Sequence, residues 1–163
     1  MKKILAMLLA LVMVLSLAAC ASTQPAAEPA ASSDAPAESG KTYTVGVCQL
    51  VQHEALDAAT QGFVDALKEA LGDAVTIDVQ NASGDSVNCG TIVNGFVSKG
   101  VDLIMANATP ALTAAVSATA DIPILGTSIT AYGVALDIDD FSGTVGGNVS
   151  GTSDLADLQK QAQ

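Results

Sequence analysis

The sequence predicts an α/β fold, a doubly wound and mostly parallel sheet, and three observations carry that prediction. Residues 43–72 open as a β-branched run (Thr44, Val45, Val47), break at a polar corner, and then switch to a helical period. A strand feeding a helix through such a corner is half of a βαβ unit. The same step recurs four times at roughly 20–30-residue intervals, the rhythm of a parallel sheet with helices on both faces. Half the residues are hydrophobic but only 3% are aromatic, so the core is expected to consist of Ala, Val, Leu and Ile.

The chain begins with an address. Residues 1–19 read as a secretory signal: Lys2 and Lys3, then ILAMLLALVMVLSL, then small residues. The competing reading is a retained membrane helix, but the apolar run is short against the roughly 20 residues a span needs. It ends in Leu17-Ala18-Ala19-Cys20, which resembles the bacterial lipobox, where cleavage precedes the Cys and its thiol is acylated. A lipid on Cys20 would hold the protein at the extracytoplasmic face of the cell membrane. Residues 20–41 then form a tether, rich in Ala, Ser, Pro and Glu. With no large apolar side chain between Ala21 and Gly40 it cannot repay its ordering entropy and is expected to be disordered.

The folded part is expected to start at residue 42. After the strand at its beginning, Leu56, Ala59, Phe63, Ala66 and Leu67 recur at helical spacing. Residues 75–79 (VTIDV) alternate as a second strand, leaving through Gln80-Asn81-Ala82-Ser83-Gly84-Asp85. A helix follows over residues 86–98, interrupted by Gly90 and Gly95 and closed by Lys99-Gly100. Residues 102–106 (DLIMA) form a short, almost wholly apolar third strand. Pro110 suits the first turn of the next helix, with Thr109 as its cap. Residues 122–125 (IPIL) make the fourth strand, and residues 134–138 a fifth short strand or an irregular return. Residues 143–152 read as a Gly-rich crossover, after which Ser153 or Asp154 caps a helix that the sequence does not continue. The expected division is a lobe over residues 42–142, then over residues 143–163 a crossover and the start of a truncated second lobe.

Charge excludes one class of partner. The net charge is −11, with six lysines and no arginine; that field repels nucleic acid, and no bidentate guanidinium clamp is available for a carboxylate or phosphate. Any anion must be held by backbone N–H groups, hydroxyls and amides. Such groups gather at the strand exits: Gln49, Gln52 and His53; Asn81 and Ser83; Asn107 and Thr109; Thr127, Ser128 and Thr130. In a parallel sheet all would fall on one edge, where open α/β sheets bind ligands. Each taken singly reads better as a cap or turn residue; the set favours a ligand edge suited to a small zwitterion.

Enzyme signatures are weak. His53, the sole histidine, has Asp57 at i+4, a spacing open to metal binding or acid/base pairing, but a lone His at a helix start is more often a cap. Neither G-x-S-x-G nor a Walker-type loop occurs. No cofactor, metal site or catalysis is expected. Cys48 and Cys89 lack C-x-x-C spacing and read as buried small hydrophobes, their pairing left open.

TVGVCQLVQHEALDAATQGFVDAL, the Asn81 exit and VDLIMANATPALTAAVSATADIPILGTSIT together resemble the first lobe of ABC-transporter substrate-binding lipoproteins. The branch they resemble is the one linked to tryptophan, tyrosine and phenylalanine uptake. The resemblance implies a two-lobed, periplasmic-binding-protein-like fold that closes on an amino acid and docks on an ABC permease. It places ligand contacts at Gln49, Gln52, His53, Asn81, Ser83, Asn107, Thr109, Thr127, Ser128 and Thr130. Two departures stand out: relatives are about twice as long, and Ala131 stands where they often carry an acid. A membrane-anchored sensing lobe not coupled to transport is the alternative reading.

Overall fold

The computed structural model describes residues 40–154. The residues read from sequence as a signal, Cys20, most of those read as a tether, and the final helix reading lie outside the described residues. Within them five parallel strands form one sheet in the order β2-β1-β3-β4-β5. The strands are β1 (Tyr43–Gln49), β2 (Val75–Asn81), β3 (Leu103–Asn107), β4 (Ile124–Ile129) and β5 (Val149–Ser153). The helices are α1 (Glu54–Leu71), α2 (Ser86–Lys99), α3 (Thr109–Ala118) and the single turn α4 (Tyr132–Ala135). The predicted fold class is therefore observed, with α1 on one face and α2 and α3 on the other.

The pleat explains this division. Cys48, Ile104, Ala106 and Ile124 point to the α2/α3 side and join Cys89, Val93, Phe96, Ala111, Leu112 and Ala115 in one buried cluster. Gly46 lets α2 approach closely, since a Cβ there would stand 2.6 Å from the Phe96 ring. The alternate residues Val45, Val47, Gln49, Met105 and Asn107 are also buried; Gln49 and Asn107 bond to α1. Helix ends follow local chemistry. His53 caps α1 by accepting from the Ala55 N–H, and Asp85 caps α2 by accepting from that of Val87. Gly100, left-handed at φ 65°, closes α2 as the Lys99-Gly100 pair predicts. Lys99 Nζ then reaches Asp78 on β2 at 2.7 Å.

Four local expectations need correction. Of the two readings of residues 134–138 the strand falls and the irregular return stands: the end of α4 and a turn closed by Ile138 N–H on the Gly133 carbonyl occupy them. The fifth strand lies instead inside the Gly-rich stretch, where Val149–Ser153 pairs with the free edge of β4. Ser153 thus ends a strand, and its hydroxyl donates to the Thr130 carbonyl, which removes it as a helix cap; the Asp154 alternative depends on residues outside those described. Thr109 is not a cap: Ala108 holds that position with φ 91° and no side-chain bond, while Thr109 is already helical.

Tyr132 secures the β4–β5 junction. Its hydroxyl donates to the Gly126 carbonyl at 2.9 Å and lies 3.3 Å from that of Thr152. The register slips between Gly126 and Ile129, a bulge in which Ser128 takes φ 56°.

Candidate functional site

The four strand exits do meet at one edge. Gln49 is in register with Asn81 on one side and Asn107 on the other, and Asn107 with Thr127. Backbone bonds stitch the row together just beyond: Ala82 N–H to the Gln49 carbonyl, Leu50 N–H to that of Asn107, and Ala108 N–H to that of Thr127. Strand order reverses between β1 and β3, so Gln49 and Asn107 stand at the topological switch point of the sheet.

These two residues are engaged below the surface. Gln49 Nε2 donates to the Val51 carbonyl at 2.9 Å and to Asp57 Oδ1 at 2.6 Å. Its Oε1 accepts from the Thr60 hydroxyl at 2.6 Å. Asn107 Nδ2 donates to Thr60 Oγ1 at 2.9 Å and to the Leu56 carbonyl at 2.8 Å. Asn107 is wholly buried, and its Oδ1 is the buried side-chain atom without a hydrogen-bond partner among the described residues. The network pins the first turns of α1 to the ends of β1 and β3, since breaking any member would strand a desolvated polar group.

Beside this network opens a cleft of about 770 Å³ between the β1–α1 loop, α1 and the end of the edge strand β2. Gln49, Gln52, Asn81 and Ser83 line it, four of the residues expected from the sequence. Asn81 Oδ1 accepts from the Ser83 N–H at 2.7 Å, holding Ser83 at φ 56°. The other expected residues are elsewhere. Thr127 lines a separate hollow beneath α1 with Phe63, Met105 and Thr152, and Thr130 another with Tyr132 and Phe141. His53, Asn107, Thr109 and Ser128 do not line the cleft.

Asp57, Thr60 and Gln61 complete the cleft wall from α1, and the site reading from sequence omitted them. The signal was present: polar residues at i, i+3 and i+4 run along one side of α1 amid Leu56, Ala59, Phe63 and Val64. Thr60, one of two buried residues on α1, is the polar break in its apolar face. The chemistry offered is a carboxylate at Asp57, amides at Gln52 and Asn81, and the Ser83 hydroxyl. At the neighbouring exit α3 begins without a side-chain cap, its Ala108 and Ala111 N–H groups bonded to the Thr127 and Ala108 carbonyls and Pro110 carrying none. Among the described residues no three His, Cys, Asp or Glu side chains converge as a metal site.

Comparison with known proteins bears on this edge. A sequence profile of the family described as "ABC transporter substrate binding protein" matches residues 44–163. A curated "Tyrosine-binding protein" of Clostridioides difficile (strain R20291) is 39% identical over 166 residues, covering 98% of this chain and 46% of its own length. The ligand-free, open structure of a substrate-binding protein with adhesive properties from Clostridium difficile aligns with TM-score 0.67 at 42% identity. That alignment covers 73% of this chain and 41% of that one. A Streptococcus pneumonia ABC domain in complex with L-Trp aligns with TM-score 0.63 at 36% identity, over 69% of this chain and 39% of that one. The chain thus spans about half the length, or less, of these relatives.

Proposed function

Because the chain belongs to the family of ABC transporter substrate-binding proteins, we propose that it is the extracytoplasmic solute-binding component of an ABC importer. Its ligand is a small zwitterion, an aromatic amino acid, and its role is binding rather than catalysis. The observation that carries this reading is the in-register row Asn81, Gln49, Asn107 and Thr127 at the carboxyl edge of the sheet, with the cleft beside it. The tyrosine-binding relative and the neighbour holding L-Trp support the ligand class.

In this reading Asp57 receives the ammonium group, while Gln52, Asn81 and Ser83 offer donors to the carboxylate. Gln49 and Asn107 position these groups through Thr60. Cys20 carries the lipid anchor, and the loaded protein delivers its ligand to a permease in the membrane. The lipobox-like Leu17-Ala18-Ala19-Cys20 and the tether support that placement.

Titration of the chain with L-Trp, L-Tyr and L-Phe, followed by NMR shifts, tests the ligand claim. One sheet edge supplies one wall, and small-molecule sites bury most of their ligand. The expected affinity of these 163 residues is therefore millimolar or weaker, about −4 kcal/mol. Shift changes that saturate and map to residues 49–61 and 79–83, diminished in Asp57→Asn, support the site. No perturbation by any of the three removes the substrate claim.

A further inference from the structure

Cys48 and Cys89 take no part in the site, yet both are wholly buried in one hydrophobic cluster. Cys48 follows Gly46 on the face of β1 that meets α2, where Gly46 lies under the Phe96 ring. Moving from Gly46 to Cys48 advances about 6.8 Å toward the carboxyl end of the strand. Moving from Phe96 back to Cys89 covers about 10.5 Å along the helix, and Cys89, Val93 and Phe96 share its buried face. A helix crossing between parallel strands runs antiparallel to them, so both steps go the same way. They bring Cys48 against the first turns of α2, where Cys89 stands. The two thiols lie near enough to perturb each other's titration, and both are free in the structure.

We propose that Cys48 and Cys89 form a disulfide that staples β1 to α2 when a disulfide-bearing oxidant meets the folding chain. One cysteine thiolate attacks the oxidant's S–S bond, giving a mixed disulfide and releasing one oxidant thiol. The other thiolate displaces the second oxidant sulfur and closes the Cys48–Cys89 bond. Two protons leave the cysteines, and their two electrons reduce the oxidant to two thiols. Timing follows from burial. Desolvation first, then the neighbouring Cys89, push the Cys48 thiol up to about 12, so the closed fold holds almost no reactive thiolate there. The bond therefore forms while the chain is open and is shielded from reductant once it closes.

Peptide mapping tests this on the full chain. The purified protein is held at its urea midpoint, where it opens and closes repeatedly, in a buffer of oxidised and reduced glutathione. Acid quench, alkylation with N-ethylmaleimide and trypsin follow. Lysines at 41, 68 and 99 place Cys48 in the peptide of residues 42–68 and Cys89 in that of residues 69–99, while Cys20 falls in a third. The expected product is the 42–68/69–99 pair, lighter by two hydrogen masses than the separate peptides and lost on reduction, in clear excess over any link to Cys20. Both peptides carrying maleimide or glutathione, or pairing with Cys20 at a similar frequency, would overturn the proposal.

Discussion

Asn107 Nδ2 lies 2.9 Å from the hydroxyl oxygen of Thr60, joining the end of β3 to the middle of the first helix across 47 residues of sequence. The same hydroxyl donates to Gln49 Oε1 at 2.6 Å, so one threonine closes the row of strand ends from beneath. Thr60→Val keeps the shape and removes both bonds. It is expected to destabilise by about 1–3 kcal/mol, because two buried amides lose a partner. Urea unfolding measures this. A change under a few tenths of a kcal/mol would mean the network does not hold α1.

Glycines separate into two kinds. A Cβ on Gly126 or Gly151 would collide with the Tyr132 hydroxyl, and on Gly151 also with the Gly126 backbone. Gly126→Ala and Gly151→Ala should each cost about 1–3 kcal/mol through overpacking. Gly62 in α1 has open space around it, and Gly62→Ala should stabilise by about 0.5–1 kcal/mol through helix propensity. Melting temperatures moving in opposite directions for the two kinds are the expected outcome.

Ala108 occupies φ 91°, ψ 156° at the start of α3, a region populated almost wholly by glycine and costing of order 1–3 kcal/mol for other residues. Ala108→Gly relieves that strain at a smaller entropic cost of about 0.5–1 kcal/mol. A net gain in the urea midpoint is expected; a loss would show that the backbone there is relaxed.

High pH should unfold the protein early. Burial raises the Tyr132 hydroxyl above its ordinary value of 10.0 and the Cys48 thiol from 9.0 to about 12. Both groups hold their protons more tightly folded than unfolded. Their stabilising contribution is full below the unfolded values and is lost as pH rises from about 9 toward 12, by at most about 1.4 kcal/mol per pH unit for each group. Urea midpoints of the reduced protein, measured in a thiol buffer from pH 8 to 11, should fall, and the fall should flatten in Cys48→Ala with Tyr132→Phe. A flat profile in the reduced native-sequence chain would contradict this.

Much of the architecture was legible because it follows from local pattern. The β-branched run before Gln49, the helical spacing from Leu56 to Leu67 and the Lys99-Gly100 stop each specify an element within a few residues. Alternation and parallel winding then align the polar strand ends at one edge. β5 was not legible: Val149–Ser153 has one large apolar residue, and its strand character comes from pairing with the free edge of β4. The capping position of Ala108 was hidden for a similar reason, since its N–H bond to the Thr127 carbonyl belongs to the neighbouring strand.

By itself, the sequence determined the fold class, a strongly negative net charge, and the set of amides and hydroxyls at the strand exits. Only the tertiary structure decided their division of labour. Gln49 and Asn107 are drawn into a buried network because Thr60 of α1 packs onto their face of the sheet, while Gln52, Asn81 and Ser83 stay at the cleft with Asp57. Hydrogen bonds between distant segments make that division, and spacing along one chain does not encode which distant partner a polar side chain will meet.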